Sequence, residues 1–167
     1  ASGMDAYAMQ EKAFALDESK IRDVSLFSGG VVKGQKLQDY VNDLVGGRTL
    51  DIIPIPGHQK AHIALYDQSR GLLLTGDTLY PGRLYISDWS AYGPSIQRLA
   101  DFTASPEHPV TWVLGTHIEM TTTPGQDYAM QVTKHPNEHV LQLTHGTLLE
   151  LNQAVIGLRN PRPSTHK

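Results

Sequence analysis

The sequence predicts an α/β (α+β) fold, and three observations predict it. Short apolar runs bounded by Gly and Pro read as strands, two of them joined by a tight polar turn. Two longer stretches carry apolar residues at helical spacing. A glycine follows three of the apolar runs, which marks the points where the backbone must turn sharply.

Taken in order, Asp5 to Glu18 mixes Ala, Met, Phe and Leu with charges and reads as a weak helix. Lys20 to Lys36 is irregular. Leu37 to Leu44 reads as a strand and Gly46-Gly47 as a hairpin turn. Arg48 to Ile55 is a strand that Pro54 and Pro56 bring to an end, because proline has no N–H for the ladder. Ala61 to Tyr66 and Leu72 to Thr75 pair as a hairpin across Asp67-Gln68-Ser69-Arg70-Gly71. Thr78 to Trp89 is an aromatic loop. Tyr92 to Thr103 is a helix with Ile96, Leu99 and Phe102 on one face. Val110 to Leu114 is a strand, and Thr121 to Lys134 is irregular. Pro136 to about Leu158 is the strongest helix, with Pro136 suited to its first turn. The tail from Arg159 reads as flexible.

Composition narrows the function. The 167 residues are 40% hydrophobic and 19% charged, so the chain can build a core and is not expected to be disordered. The net charge of −3 supplies no basic field for nucleic acid, and no such partner is expected. No apolar run approaches the roughly 20 residues that span a bilayer, so a soluble chain without a membrane partner is expected. The compartment stays open, cytoplasmic or periplasmic. With no cysteine, disulfides, thiolate zinc sites and a cysteine nucleophile are excluded. Ala1-Ser2-Gly3-Met4 lacks the basic and apolar segments of a signal peptide.

The chemistry is expected at the three strand ends. Ile52 to Ile55 leads to Pro56-Gly57-His58, Leu72 to Leu74 to Thr75-Gly76-Asp77, and Val110 to Leu114 to Gly115-Thr116-His117. If these strands run the same way, His58, Asp77 and His117 meet at one sheet edge. Imidazole nitrogen and carboxylate oxygen suit zinc, and also iron or manganese. A carboxylate between two imidazoles can bridge two cations. Each triplet alone is a weak signal, since a lone loop histidine is seldom a ligand and an Asp after Gly is usually a turn or cap residue; the three together point to a metal site.

Pro56-Gly57-His58, His62 to Tyr66, Leu73 to Arg83 and Val113 to His117 resemble the later motifs of the metallo-β-lactamase superfamily, in order. The resemblance covers roughly Gly46 to Leu151. It implies His58 on a first metal, Asp77 bridging both metals, and His117 on a second. It implies a hydrolase whose metal-bound hydroxide attacks a carbonyl or phosphoryl centre. An ester, lactone, thioester or β-lactam-like substrate fits, with phosphodiesters open.

The family's earlier signature, His-x-His-x-Asp-His, has no counterpart, since no histidine precedes His58. The chain therefore resembles one half of an αββα sandwich: one mixed sheet with helices on its outer face. The expected organisation is a connector over 1–36, the C-terminal half of the domain over 37–158, and a tail over 159–167. Two ions would need the complete enzyme. Alone, the chain is expected to bind metal poorly or not at all, and to hydrolyse poorly. The expected partner is the N-terminal half of the same enzyme or a second copy. The alternative is a non-catalytic half-domain that associates through its sheet face.

Tyr80 and Arg83 are the candidates for substrate contact. The Arg83 fork suits a carboxylate or phosphate, and equally a bridge to loop backbone. His62 reads as packing or as support for the site. Tyr85 and Trp89 read as loop packing, Glu119 as a salt-bridge residue or an orienting one. His135-Pro136-Asn137-Glu138-His139 matches the string His-x-x-Glu-His, but Pro136 at a helix start would leave His135 outside. His108, His145 and His166 read as surface residues. No catalytic base is assigned.

Overall fold

The computed structural model describes residues 48–159 together with Tyr7, Ala8, Gln10, Glu11, Lys36 and Asp39. The chain divides into two compact units, Ala1–Asp51 and Ile52–Lys167. In the first, Tyr7, Ala8, Gln10 and Glu11 are helical, within the stretch expected to be a weak helix. Asp39 is also helical, against the strand expected over Leu37 to Leu44. The rest of that stretch, the Gly46-Gly47 turn and the tail beyond Arg159 lie outside the described residues.

The strands are β1 (Leu50–Pro54), β2 (Ile63–Asp67), β3 (Leu72–Gly76), β4 (Trp112–Gly115) and β5 (Gln142–Leu143), and they form one sheet in sequence order. β2 and β3 pair antiparallel, Tyr66 opposite Leu73, across the turn closed by Arg70 N–H to Asp67 C=O at 3.2 Å. β3 and β4 run parallel, Leu73 beside Val113, and β4 and β5 antiparallel. The sheet is therefore mixed. Pro54 closes β1, and Ile55 N–H to His62 C=O at 2.8 Å ties its end to β2. Neighbouring strands joined by so short a connection run antiparallel, because a parallel pair needs a crossover of a dozen residues. The chain therefore leaves β1, β3 and β4 in the same direction.

Helix α1 spans Trp89–Thr103. It begins three residues before the expected Tyr92, because Asp88 caps it by accepting from Ala91 N–H and the Ser90 hydroxyl. Helix α2 spans His145–Arg159. The expected start at Pro136 is wrong. Asn137 sits at a left-handed φ of 60°, which no helix tolerates, and Gln142–Leu143 pair as a strand instead. The real start has Thr144 Oγ1 accepting from Thr147 N–H at 3.3 Å.

Alternation sets the core. Ala64, Tyr66, Leu73 and Val113 are buried with Tyr92, Ile96 and Leu99 of α1 and Leu148 and Val155 of α2. On the other face Leu74 and Trp112 are exposed. One face of the sheet thus lies under helices, and burying each large side chain there is worth about 1.5–3 kcal/mol. Among the described residues no helix is long and apolar enough to cross a membrane.

Candidate metal centre

Three tip glycines position the site, and each is glycine for a different reason. Gly57, after β1, has φ +146° and its missing Cβ would lie 2.6 Å from Tyr92 Cα. Gly76, at the end of β3, has φ +54°, and a Cβ there would meet His62 Nε2 at 2.5 Å. Gly115, at the end of β4, would press a Cβ to 2.6 Å from Leu79 O and 2.9 Å from Tyr80 Cα. Main chain at Gly57 and Gly115, and the His62 ring at Gly76, pass so close to these tips that an added side chain has no room.

The structure brings His58, Asp77 and His117 together. His58 Nε2 lies 3.1 Å from Asp77 Oδ2, and His117 Nε2 lies 3.1 Å from Asp77 Oδ1. Thr116 Oγ1 donates to Asp77 Oδ1, and this bond is the main reason the carboxyl titrates below its usual range, with both imidazoles reinforcing it. His62 stands edge-on to His58, ring centres 5.3 Å apart. Burial first, then the neighbouring His58, lowers the His62 pKa, while Asp77 opposes them. An open cleft of about 560 Å³, lined by His58, Lys60, His62, Asp77 and Ser87 with Gln59 and Ala61, exposes this cluster.

Hydrogen bonding tests whether these residues suit a cation. His58 Nδ1 lies 2.8 Å from the Tyr85 carbonyl, which can only accept, so Nδ1 carries the proton. In a neutral ring Nε2 then offers a lone pair toward Asp77 Oδ2, which is also an acceptor. Two acceptors at 3.1 Å need a proton or a cation between them. A protonated imidazole satisfies that contact as a cation would, and imidazole nitrogen with carboxylate oxygen is a donor set of the kind zinc takes. It is also incomplete: each imidazole faces a different carboxylate oxygen, and among the described residues no group of three or more His, Asp or Glu side chains forms a ready cage.

The other candidates occupy supporting places. Tyr80 is buried, its hydroxyl donating to the Arg83 carbonyl and its ring edge-on to His117 at 5.2 Å. Burial raises the Tyr80 pKa. Arg83 Nε lies 3.4 Å from Glu119 Oε2, and Nη1 3.9 Å from Asp127 Oδ2. Trp89 stacks on Tyr92, whereas Tyr85 holds His58 through its backbone. In the His-x-x-Glu-His string none of the three side chains stands on a helix; His135 contacts Glu138 at 3.0 Å and stacks on Tyr128. His108 stacks on Phe102 and His145 Nε2 meets Thr103 Oγ1 at 2.9 Å, so both are more packed than surface residues, while His166 lies outside the described residues. Sequence reasoning missed Thr116 and the Tyr85 carbonyl. Thr116 stands directly before His117 and was readable as a hydroxyl beside a ligand; a carbonyl partner 27 residues away leaves no signal.

The mixed sheet thus delivers two imidazoles and a carboxylate to one edge. The model of the metallo-beta-lactamase superfamily matches residues 6–133, and the chain belongs to that superfamily. It is 32% identical over 123 residues to a hydroxyacylglutathione hydrolase of Aeromonas hydrophila, covering 72% of this chain and 44% of that protein. It is 33% identical over 75 residues to the human acyl-coenzyme A thioesterase MBLAC2, covering 45% of this chain and 24% of that one. The chain thus spans less than half the length of these curated relatives. A crystal structure of a metallo-beta-lactamase family protein from Thermus thermophilus aligns with a TM-score of 0.38 at 20% identity, covering 65% of this chain and 31% of that one.

Proposed function

We infer that this chain is the ligand-poor, C-terminal half of a metal-dependent hydrolase that cleaves an acyl ester or thioester. The observation that carries the reading is the meeting of His58 and His117 on the two oxygens of Asp77. His58, Asp77 and His117 are the residues that would hold zinc. Bound zinc would supply a water whose pKa is near 7. The chain's own part is orientation. The Tyr85 carbonyl fixes the His58 tautomer, Thr116 fixes the carboxylate, and Tyr80 backs the His117 ring. The relatives that are a thioesterase and a hydroxyacylglutathione hydrolase favour an acyl thioester as substrate.

A catalytic zinc takes about three protein ligands and one open position. Two imidazoles that face different oxygens of one carboxylate fall short of that, so the remaining ligands would come from the N-terminal half of the enzyme or from a partner chain. The exposed Leu74 and Trp112 face is where such a half would pack. Isothermal titration of the chain with zinc tests the reading. Weak binding is expected, abolished by Asp77→Ala and reduced by His58→Ala and His117→Ala. Binding that survives Asp77→Ala would overturn it.

A further inference from the structure

The loops that carry the site also enclose a second pocket of about 310 Å³, and the geometry points to it as the seat of an uncharged, apolar acyl chain. This rests on the reading of the chain as an acyl hydrolase, whose substrate it narrows. One wall is the loop after Asp77, with Arg83 and Tyr85; the other is the segment after His117, with Glu119 and Ala129 to Val132. Tyr85 is the residue that touches both this pocket and the metal centre. Its carbonyl meets His58 Nδ1, and the same residue lines the pocket.

Two features select the occupant. The rim exposes Met130 by 70%, Val132 by 41% and Tyr85 by 43%, apolar surface that folding does not use. Two of the lining polar residues bond locally, Tyr128 N–H donating to Glu119 C=O at 2.8 Å and His135 Nε2 meeting Val132 C=O at 3.0 Å, while Arg83 Nε and Glu119 Oε2 are buried beside each other. The second feature is charge. Arg83, the one cation among the described residues lining the pocket if His135 is neutral, already faces Glu119 and Asp127. Two carboxylates against one guanidinium leave no attraction for an anionic group. The Arg83 that the sequence suggested as a carboxylate clamp therefore acts here as a wall, and what enters is apolar and neutral. The volume is at the lower end for ligand sites, as suits one medium-length chain.

The test uses the neutral thioester S-octanoyl-N-acetylcysteamine, titrated without zinc into chain labelled at its methionine methyls. A saturable shift of the Met130 methyl is expected, with Met120 unmoved. Met130→Glu and Val132→Asp should each weaken binding at least tenfold and leave the melting temperature unchanged, since both side chains are exposed. Octanoate, the anion of the same length, should bind more weakly. No saturable shift, a response of Met120 in place of Met130, binding indifferent to both variants, or tighter binding of octanoate would each overturn the inference. With zinc absent, such a failure strikes the pocket alone; failure of the metal reading appears in the zinc titration.

Discussion

Gly115→Ala probes how tightly the strand tip beneath His117 is built. The added methyl would stand 2.6 Å from Leu79 O and 2.9 Å from Tyr80 Cα, and both neighbours are main chain of buried residues. A flexible side chain could swing aside; this backbone cannot without moving the loop that carries Asp77. Overpacking of this kind costs about 1–3 kcal/mol. At about 2 kcal/mol, a chain of this size loses about 4–8 °C of melting temperature. Gly157→Ala is the matched control. Nothing lies within 4 Å of where its added methyl would stand and the residue is helical in α2, so alanine should gain about 0.5–1 kcal/mol. Calorimetry on the two variants decides the matter. A Gly115→Ala protein that melts with the parent would show that the tip is not closed by Leu79 and Tyr80.

Other perturbations address single links. Thr116→Val removes the hydroxyl donor to Asp77 and should weaken zinc about tenfold in a titration, as losses of groups that orient a metal ligand do. Tyr92→Phe deletes a buried hydroxyl that donates to Thr78 C=O at 2.8 Å, beside Asp77, and should cost about 1 kcal/mol in urea unfolding. Asp88 caps α1, and bonds from Ser90 and Ala91 lower its folded pKa, Ser90 foremost. A lowered folded pKa means stability that is present above the unfolded pKa and lost as pH falls through the folded one, so this contribution disappears below about pH 4. Asp88→Asn keeps a cap that does not titrate, and its stability should fall less steeply with acid, as followed by circular dichroism.

What the sequence made legible had local causes. The β2–β3 hairpin followed from two apolar runs around Asp67 to Gly71, and α1 from the spacing of Ile96, Leu99 and Phe102. The tip pattern of glycine beside His58, Asp77 and His117 was visible because glycine before a polar residue is a local signature. The start of α2 was illegible because Pro136 suits a helix N-terminus and an Asn-bearing turn alike; the pairing of β5 with β4 settles the choice, and that pairing is not local. The start of α1 was hidden because Asp88, a capping residue, stands in a stretch whose aromatic and polar residues resemble a loop. In the site, the roles of Arg83 and Tyr85 depend on Glu119, Asp127 and a backbone carbonyl, which come near only in the fold.

The most direct measurement follows the imidazole nitrogens of a nitrogen-15 labelled chain by NMR as zinc is added. The account predicts that Nε2 of His58 and Nε2 of His117 shift together, while His108, His135, His139 and His145 stay where they were. Zinc shifting those four instead, or moving His58 without His117, would contradict it.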